Sequence, residues 1–417
     1  MLRFDPRFSN QPDFEPDSLS EQILSFSVRH HFFQRVEAEW LERLHRLCRL
    51  QRWVGGGRRR QLPLRRPNYR MIGGKSGQGR VAAVMRISRL SNIVPAVLIT
   101  AFWLQPTFGQ RPVLPGTGSE IVGVADDFED PSWGYVRRDP KSTEDIDEEQ
   151  HGPMGRSTNG RWYEGIKRGH PDIVKRVETP AGGMEGSQGA LLLRSKLTGI
   201  PGKPSRVMKQ DDFVANVQYR LRRQIDVAEV PSVTTRVFLP PVSEWENRSG
   251  PHFGFRLALE TTAMVDKEEG FGIFKRTVRE LGNEIYWPGM FIEFESKDRS
   301  GKDHDYAYLR IRGNRRGGDF KGPQIGTTGW WTLGMSVTPD GMVHYYASPG
   351  SDDLTEEDYI ASQFPYGYKA ERFRTFFYNI CSPDDGKTWS TSFIVDDPKV
   401  FVVRPAGKLA TKGTTVK

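Results

Sequence analysis

The sequence predicts an all-β fold, a two-sheet antiparallel jelly-roll sandwich with few short helices, preceded by a disordered or helical N-terminal extension. Three observations lead there. Beyond residue 110 the chain consists of short runs that alternate apolar and polar side chains, divided by Gly, Pro, Asp and Asn. Helical spacing is scarce over the same stretch. The basic character also stops there: the formal charge is +8, yet residues 111–417 hold 42 basic against 44 acidic side chains. The excess sits in residues 1–84, with 15 Arg and one Lys against eight acids, so the β region has no overall pull toward nucleic acid.

The extension comes first. Leu19, Ile23, Phe26, Phe33, Val36, Trp40, Leu44 and Leu47 have helical spacing, with Ser18 or Ser20 as N-cap, and the basic run Arg52–Arg60 follows. Such a helix could touch a membrane or a nucleic acid. The next segment favours another reading. Met85-Arg86-Ile87-Ser88-Arg89 is a short positive region, and Ile93–Leu104 is an apolar run too short to span a bilayer. Pro106 and the alternating small residues Thr107 and Gly109 complete a signal peptide at residues 85–110. Translation would then begin at Met85, leaving residues 1–84 a spurious or disordered extension. Cleavage after Gly109 or Gln110 would give a secreted, periplasmic or cell-surface chain with no stable membrane anchor. The alternative is an uncleaved anchor or a buried core segment.

A Pro/Gly linker at residues 111–120 leads into a sandwich expected over residues 121–404, with a flexible tail at 405–417. Strands are expected at Ala190–Arg194, Phe213–Arg222, Val233–Leu239, Phe253–Glu260, Met290–Glu295, Tyr306–Arg312, Trp330–Val337, Met342–Ala347, Arg374–Cys381 and Lys399–Val403. Asp353–Ser362 is the best helix candidate, with Asp353 as cap. Pro339-Asp340-Gly341 and Pro383-Asp384-Asp385-Gly386 carry turn chemistry. Of the two cysteines only Cys381 follows the cleavage site, and its apolar surroundings make it a small buried hydrophobe.

Trp330-Trp331-Thr332-Leu333 with Asp340-Gly341-Met342-Val343-His344-Tyr345-Tyr346 resembles the hairpin of laminin-G-like, concanavalin A-like lectin and glucanase sandwiches of secreted bacterial type. Asp126-Asp127-Phe128-Glu129 resembles the first strand of such domains, and Val395-Asp396-Asp397-Pro398 with Val400-Phe401-Val402 the last. The resemblance covers residues 121–403. It implies a polysaccharide or a cell-surface glycan as partner, with no nucleic acid, and a monomer. It also implies a structural Ca²⁺ between first and last strands, for which Asp127, Glu129 and Asp396 are the candidate oxygen ligands. The alternative is that these acids are solvated groups flanking edge strands. The superfamily includes lectins, glycoside hydrolases and polysaccharide lyases. The laminarinase pattern E-x-D-x-x-E has no match; the nearest acidic run, Glu144–Glu149, reads as a solvated loop.

Candidate site residues come from the alternation. Glu293 and Glu295 share a strand face at i and i+2, about 6.5–7 Å apart along the strand, which could suit a retaining glycosidase pair. The reading that prevails is structural: across the hairpin they would be ordinary cross-strand partners of Arg310 and Arg312. Trp245 and Trp287 lie in loop-like surroundings and are the preferred sugar platforms, whereas Trp331 and Trp389 read as core. Arg220, Arg222, Arg236, Arg256, Tyr308 and Arg310 fall on polar faces. In a lyase acting on an acidic glycan the arginines would neutralise a uronate carboxylate, and Tyr308 or His252 would transfer a proton. The reading carried forward is a glycan-binding or glycan-associated secreted sandwich without catalysis. A lyase or hydrolase of the same fold, or a cell-surface adhesion module, are the alternatives.

Overall fold

The computed structural model describes residues 111–142, 154–200, 202–269 and 276–403. The expected signal peptide, the N-terminal helix, the acidic run Glu144–Glu149 and the tail at 405–417 lie outside them. The described residues form two large antiparallel sheets packed face to face.

The first sheet runs in spatial order Tyr359–Gln363, Val343–Pro349, Gly329–Val337, Ser232–Leu239, Phe393–Val402, Gly189–Arg194 and Ile173–Glu178. Ser119–Glu120, within the expected linker, pairs with Phe401 and Val402. The second sheet runs Asp319–Ile325, Tyr306–Arg312, Gly289–Glu295, Gly250–Glu269, Arg372–Ser382, Lys209–Ala215, Trp162–Glu164, Arg156–Ser157 and Tyr135–Val136. Arg276–Tyr286 pairs with the far half of Gly250–Glu269, so beyond Glu260 these two strands continue as an arm.

Side-chain alternation decides which face each residue serves. Along Gly250–Glu269, Phe253, Phe255, Leu257 and Leu259 enter the core between the sheets, while Gly254, Arg256, Ala258 and Glu260 face out. Trp162 anchors that core, stacked 4.8 Å from Phe213 and 5.6 Å from Tyr378. Cys381 is buried and free, as expected, and burial pushes its thiol up to about 12.

Several expected elements are corrected. The strand placed at Phe213–Arg222 is Lys209–Ala215 followed by a short helix, Val217–Leu221, with Arg222 in the left-handed conformation as its C-cap. The helix placed at Asp353–Ser362 is a single 3₁₀ turn, Glu356–Asp358, closed by a Thr355–Asp358 capping box. Tyr359–Gln363 then pairs with the strand at Val343–Pro349: the unpaired edge of the sheet outweighs the helical spacing. Asp126–Glu129 forms no strand; Asp126 instead accepts from Trp133 Nε1 at 2.8 Å and Asn159 Nδ2 at 2.6 Å. Pro383–Gly386 carries the chain from one sheet to the other rather than joining a hairpin. No helix among the described residues is long and apolar enough to cross a membrane.

Candidate functional site

The outer face of the second sheet carries a strip of cations and aromatic rings. Register places Val214, Phe377, Arg256, Gly289, Arg312 and Asp319 in one row across six strands. The next row holds Asp212, Asn379, Gly254, Phe291, Arg310 and Lys321. Gly254 is small for a reason: a Cβ there would meet Asn379 Oδ1 at 2.8 Å and Phe291 Cε1 at 2.9 Å.

Arg256 sits at the middle of this strip. Its guanidinium carbon lies 5.5 Å from the Phe291 ring centroid and 5.3 Å from that of Phe377. Nε and Nη2 both donate to the Trp287 carbonyl, at 3.2 and 2.8 Å. Rings of this kind attract a cation by about 0.5–2 kcal/mol each. Arg256 is only 6% exposed and makes no ion pair among the described residues. Burial, and after it the Arg312 charge, pull its pKa down to about 10. The Asp212 carboxylate in the next row acts on it without pairing, so part of the cost of burying the cation is left for an arriving anion to relieve.

Its neighbours complete the surface. Arg312 also lies over Phe291, at 5.1 Å, and forks onto Asp319 with bonds of 2.8 and 3.2 Å. Arg310 pairs with Glu293, and its Nη2 is 3.5 Å from the Tyr308 hydroxyl. Lys321 stands 4.4 Å from the Tyr308 centroid and 4.9 Å from that of Tyr306. Trp287, half-buried, packs with Val214, Ala258, Phe377 and Tyr163.

The expected site residues divide accordingly. Arg256, Tyr308, Arg310, Glu293 and Trp287 share this face. Glu293 is buried, and burial raises its carboxyl to about 7 against the pull of Arg310. Glu295 lies two residues on, opposite Tyr306; the expected pairing with Arg312 does not form, because the register sets Arg312 opposite Gly289, at the other end of the strand.

The other candidates fall elsewhere. Arg220 and Arg222 lie on the short helix and its cap, and Arg220 Nε donates to the Gly123 carbonyl at 2.6 Å. Arg236 is on the outer face of the other sheet, bound to Asp353, Asp397 and the Ser351 carbonyl. Trp245 is no surface platform: it is buried against His252, Phe294 and Phe393, with Nε1 donating to the Pro240 carbonyl. His252 is fully buried, bonded to Thr391 Oγ1 at 2.7 Å and the Arg248 carbonyl at 3.0 Å, and burial drops its pKa to about 3. It is remote from proton transfer at the face. Trp331 is core as expected, but Trp389 is half-exposed beneath Arg194 and Lys196.

The proposed calcium ligands already serve as acceptors. Glu129 accepts from the backbone of Gln188 and Gly189, Asp127 from the Glu129 N–H, and Asp396 from Ser187 Oγ and the Asp397 N–H. Hydrogens point at the oxygens an ion would need, and no cluster of three or more His, Cys, Asp or Glu side chains suited to a metal occurs among the described residues. These residues do not fit a Ca²⁺ site in this arrangement.

The sequence missed Phe291, Phe377, Asn379 and Lys321. Phe291 was within reach of alternation, since it shares the face of Glu293 and Glu295, whereas Phe377 lies in the run Phe376-Phe377-Tyr378, where alternation gave no sign of which ring faces out.

No family model matches the chain, and no curated protein does. Among solved structures it is similar to an alginate lyase from Pseudomonas aeruginosa, with TM-score 0.31 and 8% identity, covering 56% of this chain and 87% of that one. It is also similar to an endo-β-1,4-glucuronan lyase from the fungus Trichoderma reesei, with TM-score 0.26 and 13% identity, covering 56% and 93%. A GH131 β-glucanase catalytic domain from Podospora anserina matches with TM-score 0.30 and 13% identity, covering 66% and 95%. The fold is a two-sheet antiparallel jelly-roll sandwich. That statement rests on the two antiparallel sheets and their shared core; likenesses this loose carry no argument about function.

Proposed function

We propose that the domain binds an acidic polysaccharide, a chain of uronate sugars, along the outer face of its second sheet, without cleaving it. Arg256 carries the reading. It is a buried guanidinium held by rings and one carbonyl, with no carboxylate paired to it among the described residues, and a uronate carboxylate is its natural complement. Arg312, Arg310 and Lys321 extend the positive strip, and Trp287 and Tyr308 offer rings for the sugar faces. His252, the histidine the sequence offers for proton transfer, is buried away from this strip with both ring nitrogens bonded.

Native gels cast with a polyuronate or with a neutral β-glucan test the idea. The polyuronate should retard the protein, the effect should weaken with salt, and Arg256→Gln should lower affinity at least tenfold, about 1.4 kcal/mol. Lys175→Gln, on the other sheet, should change nothing. Equal retardation by the neutral glucan, or an unaffected Arg256→Gln variant, would overturn the reading. Unsaturated sugar ends appearing during incubation would turn the binder into a lyase.

The same proposal places the domain outside the cell as a monomer, exported by the segment at residues 85–110. N-terminal sequencing of exported protein should find Gln110 or Arg111 first; peptides from residues 1–84 in that material would remove the signal-peptide reading.

A further inference from the structure

A second cluster has no part in the glycan face. Asp211 precedes Asp212 on the same strand, so its side chain points the other way, between the sheets. There it meets Lys141, 2% exposed, whose Nζ lies 2.9 Å from Asp211 Oδ2, 3.1 Å from Asp172 Oδ1 and 3.3 Å from the His170 carbonyl. Ser195 Oγ donates to the same Asp211 oxygen at 2.7 Å. Asp211 is fully buried, and its other oxygen, Oδ1, has no partner.

That orphan oxygen is the informative atom. A carboxylate with no solvent exposure and one unsatisfied oxygen is costly to keep charged. Burial favours the neutral acid, raising Asp211 to about 8, yet a proton on Oδ1 would find no acceptor. One chemical change removes the difficulty: loss of that oxygen.

We propose that Lys141 and Asp211 join in an intramolecular amide, Lys141 Nζ to Asp211 Cγ. The Nζ–Cγ bond forms and the Cγ–Oδ1 bond breaks. Of the three ammonium hydrogens one stays on the amide nitrogen and two leave with Oδ1 as water. The ammonium and carboxylate charges cancel, so the step needs no oxidant, reductant or co-reactant. Asp172 Oδ1 is placed to take the ammonium proton and return it to the departing oxygen. Fixed contact in a dry site supplies the effective concentration that amide formation lacks in water. Oδ2 becomes the amide carbonyl and keeps the Ser195 bond, and the remaining N–H faces Asp172 Oδ1 and the His170 carbonyl. The bond would fasten the N-terminal segment to a strand of the second sheet, the role a disulfide plays elsewhere, in a domain with the single cysteine Cys381.

Mass spectrometry of the purified full chain decides it. Relative to the sequence counted from its own N-terminus, the intact protein should be lighter by one water, and a digest should contain one branched peptide linking Lys141 to Asp211. Lys141→Arg and Asp211→Ala should each restore the full mass and lower the melting midpoint. Should both variants fail to fold, the wild-type digest still answers the question. Full intact mass with separate Lys141 and Asp211 peptides means an ion pair only and overturns the proposal. So does a water loss without the branched peptide, the mark of a cyclic imide.

Discussion

Arg236 and Arg256 occupy comparable places and live differently. Each is nearly buried, each projects from the outer face of a sheet, and the sequence offers each as a ligand-binding residue. Arg236 spends its guanidinium on Asp353, on Asp397 at 3.2 Å and on the Ser351 carbonyl, and Lys399 reaches the same Asp397 at 2.8 Å. Arg256 has one carbonyl and two phenyl rings. The difference teaches that an outward arginine in a strand pattern is ambiguous until its partners are known. A closed ion network marks structure; an arginine kept dry and unpaired marks a place for an anion.

The comparison is broken most directly by swapping each arginine. Arg236→Gln should cost about 3 kcal/mol in urea unfolding, the low end for breaking a buried pair, because Lys399 still serves Asp397. Polyuronate binding by the folded fraction should be unchanged. Arg256→Gln should shift stability by no more than about 1 kcal/mol, since it removes an uncompensated charge along with two hydrogen bonds. Its loss should appear in binding. A large stability cost at Arg256 with intact binding would reverse the two assignments.

The strands were readable because core positions repeat with period two between turn residues: Tyr306–Arg312 and its partner Met290–Glu295 are found where alternation puts them, in register Glu293 to Tyr308. The arm beyond Glu260 was not, because Thr261–Glu269 is largely polar on both sides and presents no core pattern. Of the site, Arg256, Tyr308, Arg310 and Glu293 could be assigned to one face by counting. Arg236 could not be separated from them, since sheet membership is set by chain crossings between layers, which short-range periodicity does not encode. Trp245 misled for a related reason: a Pro/Ser-rich loop reads as surface, yet this one folds its indole into the end of the core.

Acid–base behaviour sharpens the comparison by a smaller amount. Asp396 on the first sheet and Glu293 on the second are both raised to about 7, chiefly by burial. Between the ordinary carboxylate range and about 7 the native protein keeps these protons while the unfolded chain has released them. Each group therefore favours the fold at acid pH, loses that contribution as pH rises through this window, and changes nothing above it. His252 and His344, held near 3 and 4 by burial, act in the opposite sense as pH falls below 6.5, so the raw profile mixes both effects. The difference between wild type and Asp396→Asn isolates the first: it should favour wild type most at low pH and decline to a plateau near neutrality. Glu293→Gln should show the same shape, and it alone should also alter polyuronate binding through Arg310. A pH-independent difference for both variants would remove the shifted carboxylates from the account.

The smallest expected effect is that of calcium. If Asp127, Glu129 and Asp396 held an ion, saturating calcium would stabilise the fold by linkage, about 2.7 kcal/mol at a hundredfold excess over the dissociation constant. To do so it would have to displace the Ser187 hydroxyl and the N–H groups of Gln188, Gly189 and Asp397 from the oxygens they now occupy. Those donors already neutralise part of each carboxylate, so an ion gains little that the protein does not supply. Melting in metal-free buffer with a chelator should match melting in millimolar calcium. A midpoint that rises with calcium, and stops rising in Asp396→Asn, would show that the donors yield to the ion. The first sheet would then carry a ligand site of its own, and the contrast between its closed outer face and the open one on the second sheet would narrow to the two arginines alone.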